Sequence, residues 1–105
     1  MSIKDLRRKK ADEALNLRRL ERLYEGIVSL KTKEECRAFL RDLCTIAELQ
    51  AFAERLAIAE RVAQDESYLS IAGDIGASTT TVTRVAHWFN HGRGGYRTVI
   101  ARMHK

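Results

Sequence analysis

The side chains best suited to chemistry gather in one run, Gly76-Ala77-Ser78-Thr79-Thr80-Thr81-Val82-Thr83-Arg84. Ser78 has the type of a helix N-cap. A helix opening there would present the hydroxyls of Thr79, Thr80 and Thr83 and the guanidinium of Arg84 on its N-terminal half. In a DNA groove, hydroxyls meet base edges or phosphate oxygens, and an arginine holds guanine or phosphate through two hydrogen bonds. Three consecutive threonines are poor helix formers, so a role other than helix propensity is expected of them. Groove contact is such a role.

The remaining candidates for chemistry are weaker. His87 and His91 stand four apart, a spacing that puts two imidazoles on one helix face. No Glu follows His87 as metalloprotease chemistry requires, and no third ligand is evident, so neither a metal nor a cofactor is expected. Near the C-terminal end of the same helix, an imidazolium is favoured by the helix dipole and could meet a phosphate. Cys36 and Cys44 form no C-x-x-C pair and have no His at zinc-finger spacing; both are expected to be reduced, buried side chains of a cytoplasmic protein. An all-α chorismate mutase is also small, helical and rich in arginine, but its chemistry needs no glycine turn followed by a capped Ser/Thr helix. No catalytic residue is assigned, and the chain is not expected to be an enzyme.

The elements that must position these residues follow from periodicity and capping. Residues 67–90 read as two short helices joined by a tight turn at Gly76, a helix-turn-helix. Gly76 can take the positive φ of such a turn, Ala72 is small where the helices approach, and Ile71, Ile75, Val82 and Val85 supply the apolar wedge. Upstream, a first helix is predicted from about Ile3 to Leu30, with a basic N-terminal arm over residues 1–19 that is too charged to bury well. Thr32-Lys33-Glu34-Glu35 and Thr45-Ile46-Ala47-Glu48 both match a capping box and open a second and a third helix. The third carries Leu49, Phe52, Leu56, Ala59 and Val62 on one face. Gly92-Arg93-Gly94-Gly95 stops the helix-turn-helix, and Tyr96 to His104 forms a short closing helix. The expected fold class is therefore all-α, with six helices in a single domain over 1–105.

Size and charge limit the partners. A domain of 105 residues buries only about 65% of the surface its unfolded chain exposes. Without an evident disulfide or structural metal, pairing two chains through a shared core is the expected remedy. The net charge of +5 is unevenly spread. Residues 1–22 hold eight Lys/Arg against four Asp/Glu, residues 76–105 hold five against none, and residues 23–75 hold six against ten. Basic ends around an acidic centre fit an anionic partner touched by particular elements, double-stranded DNA above all. Arg7, Arg8, Lys9 and Lys10 are candidates for a phosphate-binding arm. No apolar h-region follows the basic N-terminus and no run of 18 apolar residues occurs, so neither an export signal nor a membrane span is expected.

The run from Gly76 to Arg84 resembles the turn and recognition helix of the Trp repressor family, and Leu43-Cys44-Thr45 followed by Arg55 is similar to the family's pattern at the matching distance. The likeness covers roughly residues 20–92 and extends to the Trp repressor-like branch labelled YerC/YecD. It implies an intertwined homodimer with two DNA-reading heads, acting in transcription regulation as a repressor. It also implies an effector pocket at Thr45, Arg55 and Arg84, the positions that hold the corepressor in tryptophan-responsive members. Those members have a glycine where this chain has Val85 and a serine where it has Trp88. Both replacements are bulkier, so a response to tryptophan is not expected. The Trp88 ring is expected to fill that pocket from within or to flank the core stripe of Val82, Val85, Ala86 and Phe89. The competing reading is a helical protein-interaction module whose helix-turn-helix packs or binds a protein.

Overall fold

A computed structural model describes residues 1–104. It contains six helices: α1 (Ile3–Val28), α2 (Lys33–Leu43), α3 (Ile46–Ala63), α4 (Tyr68–Ile75), α5 (Thr79–His91) and α6 (Gly95–Met103). No strand occurs among the described residues, and no helix is long and apolar enough to cross a membrane. The chain groups into two compact units, Met1–Leu43 and Cys44–Lys105.

The first unit is α1 and α2. Ser2 caps α1 by accepting the Asp5 N–H at 3.1 Å, so the basic arm expected over residues 1–19 is continuous helix. The helix ends at Val28, two residues earlier than predicted. There the Ser29 N–H folds back to the carbonyls of Glu25 and Gly26, and its hydroxyl donates to the Gly26 carbonyl at 2.6 Å. Neither helix has a buried residue. Leu23, Gly26 and Leu30 of the α1 end and Cys36, Phe39 and Leu40 of α2 reach only half-burial, with the Phe39 ring lying over Gly26. The expected capping box of α2 forms with a shift. Thr32 accepts the Glu35 N–H, but the Glu35 carboxylate takes the N–H of Lys31 rather than that of Thr32.

The second unit builds a core of its own. Ile58, Ala59 and Val62 from α3 meet Ile71 and Ala72 from α4, Val82, Val85 and Ala86 from α5, and Ile100 from α6. Every one of these residues is aliphatic, and no polar or charged side chain is buried with them. Burial is confined to the C-terminal half of α3. Ala59 and Val62 lie in the core as the predicted face requires, whereas Phe52 stays 47% exposed and Ile58, outside that face, is fully buried. Sites adjacent to Ala59 and Val62 on a helix widen the apolar stripe enough to take Ile58 once α4 and α5 cover both sides. Thr45 caps α3 in a reciprocal box with Glu48, at 3.1 and 2.9 Å.

Candidate nucleic-acid interface

Gly76 adopts the left-handed conformation, φ 81°, and its N–H and that of Ala77 both return to the Ala72 carbonyl, at 2.9 and 3.1 Å. That geometry ends α4 within a residue and lets α5 begin three residues on, at Thr79. Ser78 caps α5 by accepting the Thr81 N–H at 3.1 Å, and its hydroxyl also lies 3.0 Å from the Thr81 hydroxyl. Ile71, Val82 and Val85 are buried between the helices and Ile75 is half-buried, so the wedge inferred from sequence holds the two helices together. α5 is thereby fixed with Val82, Val85 and Ala86 inward and Thr79, Thr80, Thr83 and Arg84 outward.

Those outward residues, with His87, line one shallow depression along α5. Thr83 donates its hydroxyl to the Thr79 carbonyl at 2.8 Å. Among the described residues no ion pair holds Arg84 or Arg55. His87 and His91 stack along the same helix with ring centroids 5.3 Å apart, and no group of three or more metal-ligating side chains occurs among the described residues.

Behind α5 lies a cleft of about 490 Å³ between α3, α5 and α6, lined by Arg55, Arg84, Val85 and Trp88 together with Glu54 and Tyr96. Four of the five residues assigned to the effector pocket thus come together, and Arg84 borders both this cleft and the outer depression. Thr45 does not line it. Its hydroxyl is engaged at the start of α3, where the Thr45 backbone and side chain hold the Glu48 carboxyl below the usual carboxylate range. Trp88 lines the wall of this cleft and is 56% exposed. The Tyr96 contribution was not legible in the sequence, because only the fold-back of α6 over α5 brings it there. Arg7, Arg8, Lys9 and Lys10 are all exposed on α1, but at 100° per residue four consecutive side chains fan around the helix and cannot share one face.

The glycine segment after α5 departs in detail from the expected cap. Gly92 donates its N–H to the Trp88 carbonyl while its backbone is extended, and a Cβ there would collide with that same carbonyl. The left-handed residue is Gly94, φ 83°, which leads into α6. Arg97 of α6 then covers the end of α5, with its guanidinium 4.4 Å over the Phe89 ring and hydrogen bonds to the Phe89 carbonyl and the Asn90 side chain. Cys36 and Cys44 are both free and only half-buried, against the expectation of full burial.

The profile of the family described as Trp repressor protein matches residues 18–104. The chain is 38% identical over 91 residues to the uncharacterized protein YerC of Bacillus subtilis (strain 168), a match covering 87% of this chain and 88% of that one. In three dimensions it is similar to a TrpR-like protein from Eubacterium eligens ATCC 27750, at 37% identity and a TM-score of 0.76 over 82% of this chain and 89% of that one. It is also similar to a candidate Trp repressor from Staphylococcus aureus, at 36% identity and a TM-score of 0.75 over 81% and 85% of the two chains.

Proposed function

The chain belongs to the Trp repressor protein family, and from that premise we propose that it is a sequence-specific transcriptional regulator that binds double-stranded DNA as a homodimer and represses. The observation that carries this reading is the outward half of α5. A left-handed glycine and a serine cap present Thr79, Thr80, Thr83 and Arg84 together on a helix with no acidic residue from Gly76 onward. A helix of that width and charge suits the major groove.

The dimer is supported by α1. A helix of 26 residues with Leu6, Leu17, Leu20, Tyr24 and Ile27 exposed, nothing buried and only its C-terminal end against α2 has too little tertiary packing to sustain it in one chain. Pairing with a second copy would cover that stripe. Twofold symmetry then calls for a pseudo-palindromic site with half-sites about one helical turn, roughly 34 Å, apart. Repression is favoured because the reading head and the apolar stripe leave no evident activating surface. A duplex partner is in keeping with a cytoplasmic protein.

Tryptophan is not assigned as an effector. Val85 and Trp88 add bulk along the cleft, and Glu54 brings a carboxylate to the wall that carries Arg55 and Arg84. Free tryptophan is expected to dissociate at concentrations above millimolar in calorimetric titration; tighter binding would remove this part of the reading.

Selection of bound duplexes from a random pool by the purified protein at near-physiological salt tests the function. Enrichment of a twofold-symmetric motif is expected. Retention without a motif would overturn sequence specificity, and no retention at all would shift the reading to a protein-interaction module.

A further inference from the structure

The joint between α3 and the helix-turn-helix is built around one guanidinium. α3 closes with the Asp65 N–H on the Val62 carbonyl at 3.0 Å and the Glu66 N–H on the Arg61 carbonyl at 3.3 Å, the paired bonds of a Schellman turn. Its left-handed position is occupied by Asp65, φ 59°, not by glycine. Glu66 then folds back, and Arg61 Nε donates to both of its carboxylate oxygens at 3.0 Å. The same guanidinium reaches across to Asp74 of α4 at 2.6 Å. Arg61 is three-quarters buried, and its two carboxylate partners hold it firmly charged while it keeps the Glu66 carboxyl below the usual range.

Between α3 and α4 nothing else acts in this directional way; α6 adds a separate tie, through His104 to Glu60 of α3 at 2.8 Å and through Arg97 to the end of α5. Among the described residues, Arg61 to Asp74 is the one side-chain hydrogen bond between α3 and α4, and none joins α3 to α5. The rest of that contact is small aliphatic packing, which is non-directional and tolerates sliding. A planar guanidinium that holds Glu66 across Nε and Nη2 and Asp74 on Nη2 constrains an angle as well as a distance.

We propose that Arg61 is the positioning residue of the reading head, setting the pose of α4 and α5 on α3 so that α5 meets DNA in one orientation. The inference rests on the DNA-binding reading above. A head that samples several poses binds in proportion to the fraction in the competent one. Loss of the clamp therefore weakens binding without removing a DNA contact.

The test uses the full chain, with Arg61→Met, Asp74→Ala and Arg61→Lys, and two measurements. In the free protein, amide hydrogen exchange across α4 and α5 is expected to rise about tenfold in Arg61→Met and Asp74→Ala, with Arg61→Lys intermediate because a point charge cannot serve both carboxylates. Against the duplex selected by the wild type, both variants are expected to bind about tenfold more weakly with the salt slope unchanged. Asp74→Ala is the decisive variant, since removing a negative charge from a DNA-binding domain would by electrostatics alone tighten binding. Binding as tight as wild type or tighter in Asp74→Ala overturns the proposal. So does a salt slope lowered by about one in Arg61→Met, which would make Arg61 a phosphate contact. A wild type that retains no duplex would fail the DNA-binding reading instead, and unchanged exchange in both variants would fail the clamp in any case.

Discussion

The two units of this chain solve the same packing problem in opposite ways. From α3 to α6, short helices separated by tight turns fold back on one another, and nine aliphatic side chains disappear from solvent. In α1 and α2, apolar residues make up a smaller share of the chain and none is buried. The difference lies in that share and in the breakers. Five of the six glycines fall after residue 70, where each reversal returns a helix to its neighbour, whereas α1 runs 26 residues without a turn. A straight amphipathic helix must find its partner elsewhere.

The comparison is sharpest at the core. Ile58→Ala is expected to cost about 3 kcal/mol in urea unfolding, from lost burial plus the cavity it leaves, whereas Leu17→Ala, on a side chain 64% exposed in the single chain, should cost under about 0.5 kcal/mol when measured at concentrations where the dimer has dissociated, its effect falling on the pairing instead. An equal cost at both positions would show that α1 is packed after all. Next in size is Ile27→Glu on the exposed stripe of α1. If a second copy covers that stripe, light scattering should show the dimer weakened about a hundredfold, roughly 2.7 kcal/mol. An unchanged dimer would place the interface elsewhere.

Deleting residues 1–10 probes the charge on the first unit. Because the five cations removed, Lys4 among them, fan around α1, only about two can reach one phosphate backbone, so the salt slope of DNA binding should flatten by roughly two rather than five. An unchanged slope would leave the arm without a DNA role. The smallest effect is expected at the start of the second unit. Thr45→Ala should lose about 1 kcal/mol as the α3 cap is removed. The Glu48 carboxyl lies below its ordinary value of 4.5 in the folded chain, so its contribution is present above that value and fades as pH falls through the lowered one. Thr45→Ala should therefore flatten the acid limb of a thermal-melt profile; an unaltered limb would detach the cap from the titration.

Local signals in the sequence located nearly every helix start. Thr45 with Glu48, Ser78 and Gly76 act through atoms within four residues of themselves, and each forms the bond its type suggests. What depends on distant chain was legible only in part. Periodicity on α3 indicated an apolar face but not that burial would be limited to its C-terminal half, because that is set by where α4 and α5 land. Gathering Arg55, Arg84, Val85 and Trp88 into one cleft followed from resemblance, whereas the separation of Thr45 from it and the arrival of Tyr96 and Glu54 required the fold. Arg61 carried no signal of its own, since an arginine near a helix C-terminus is ordinary until Asp74, thirteen residues on, is brought beside it.

Thr83 gives its proton to the carbonyl of Thr79, so what it turns outward is a lone pair and a methyl. A surface patterned in this way discriminates by polarity. Were α5 to lie in a major groove as proposed, that lone pair would accept from the exocyclic amine of adenine or cytosine and the methyl would pack on that of thymine, while the acceptors of guanine would find no donor there.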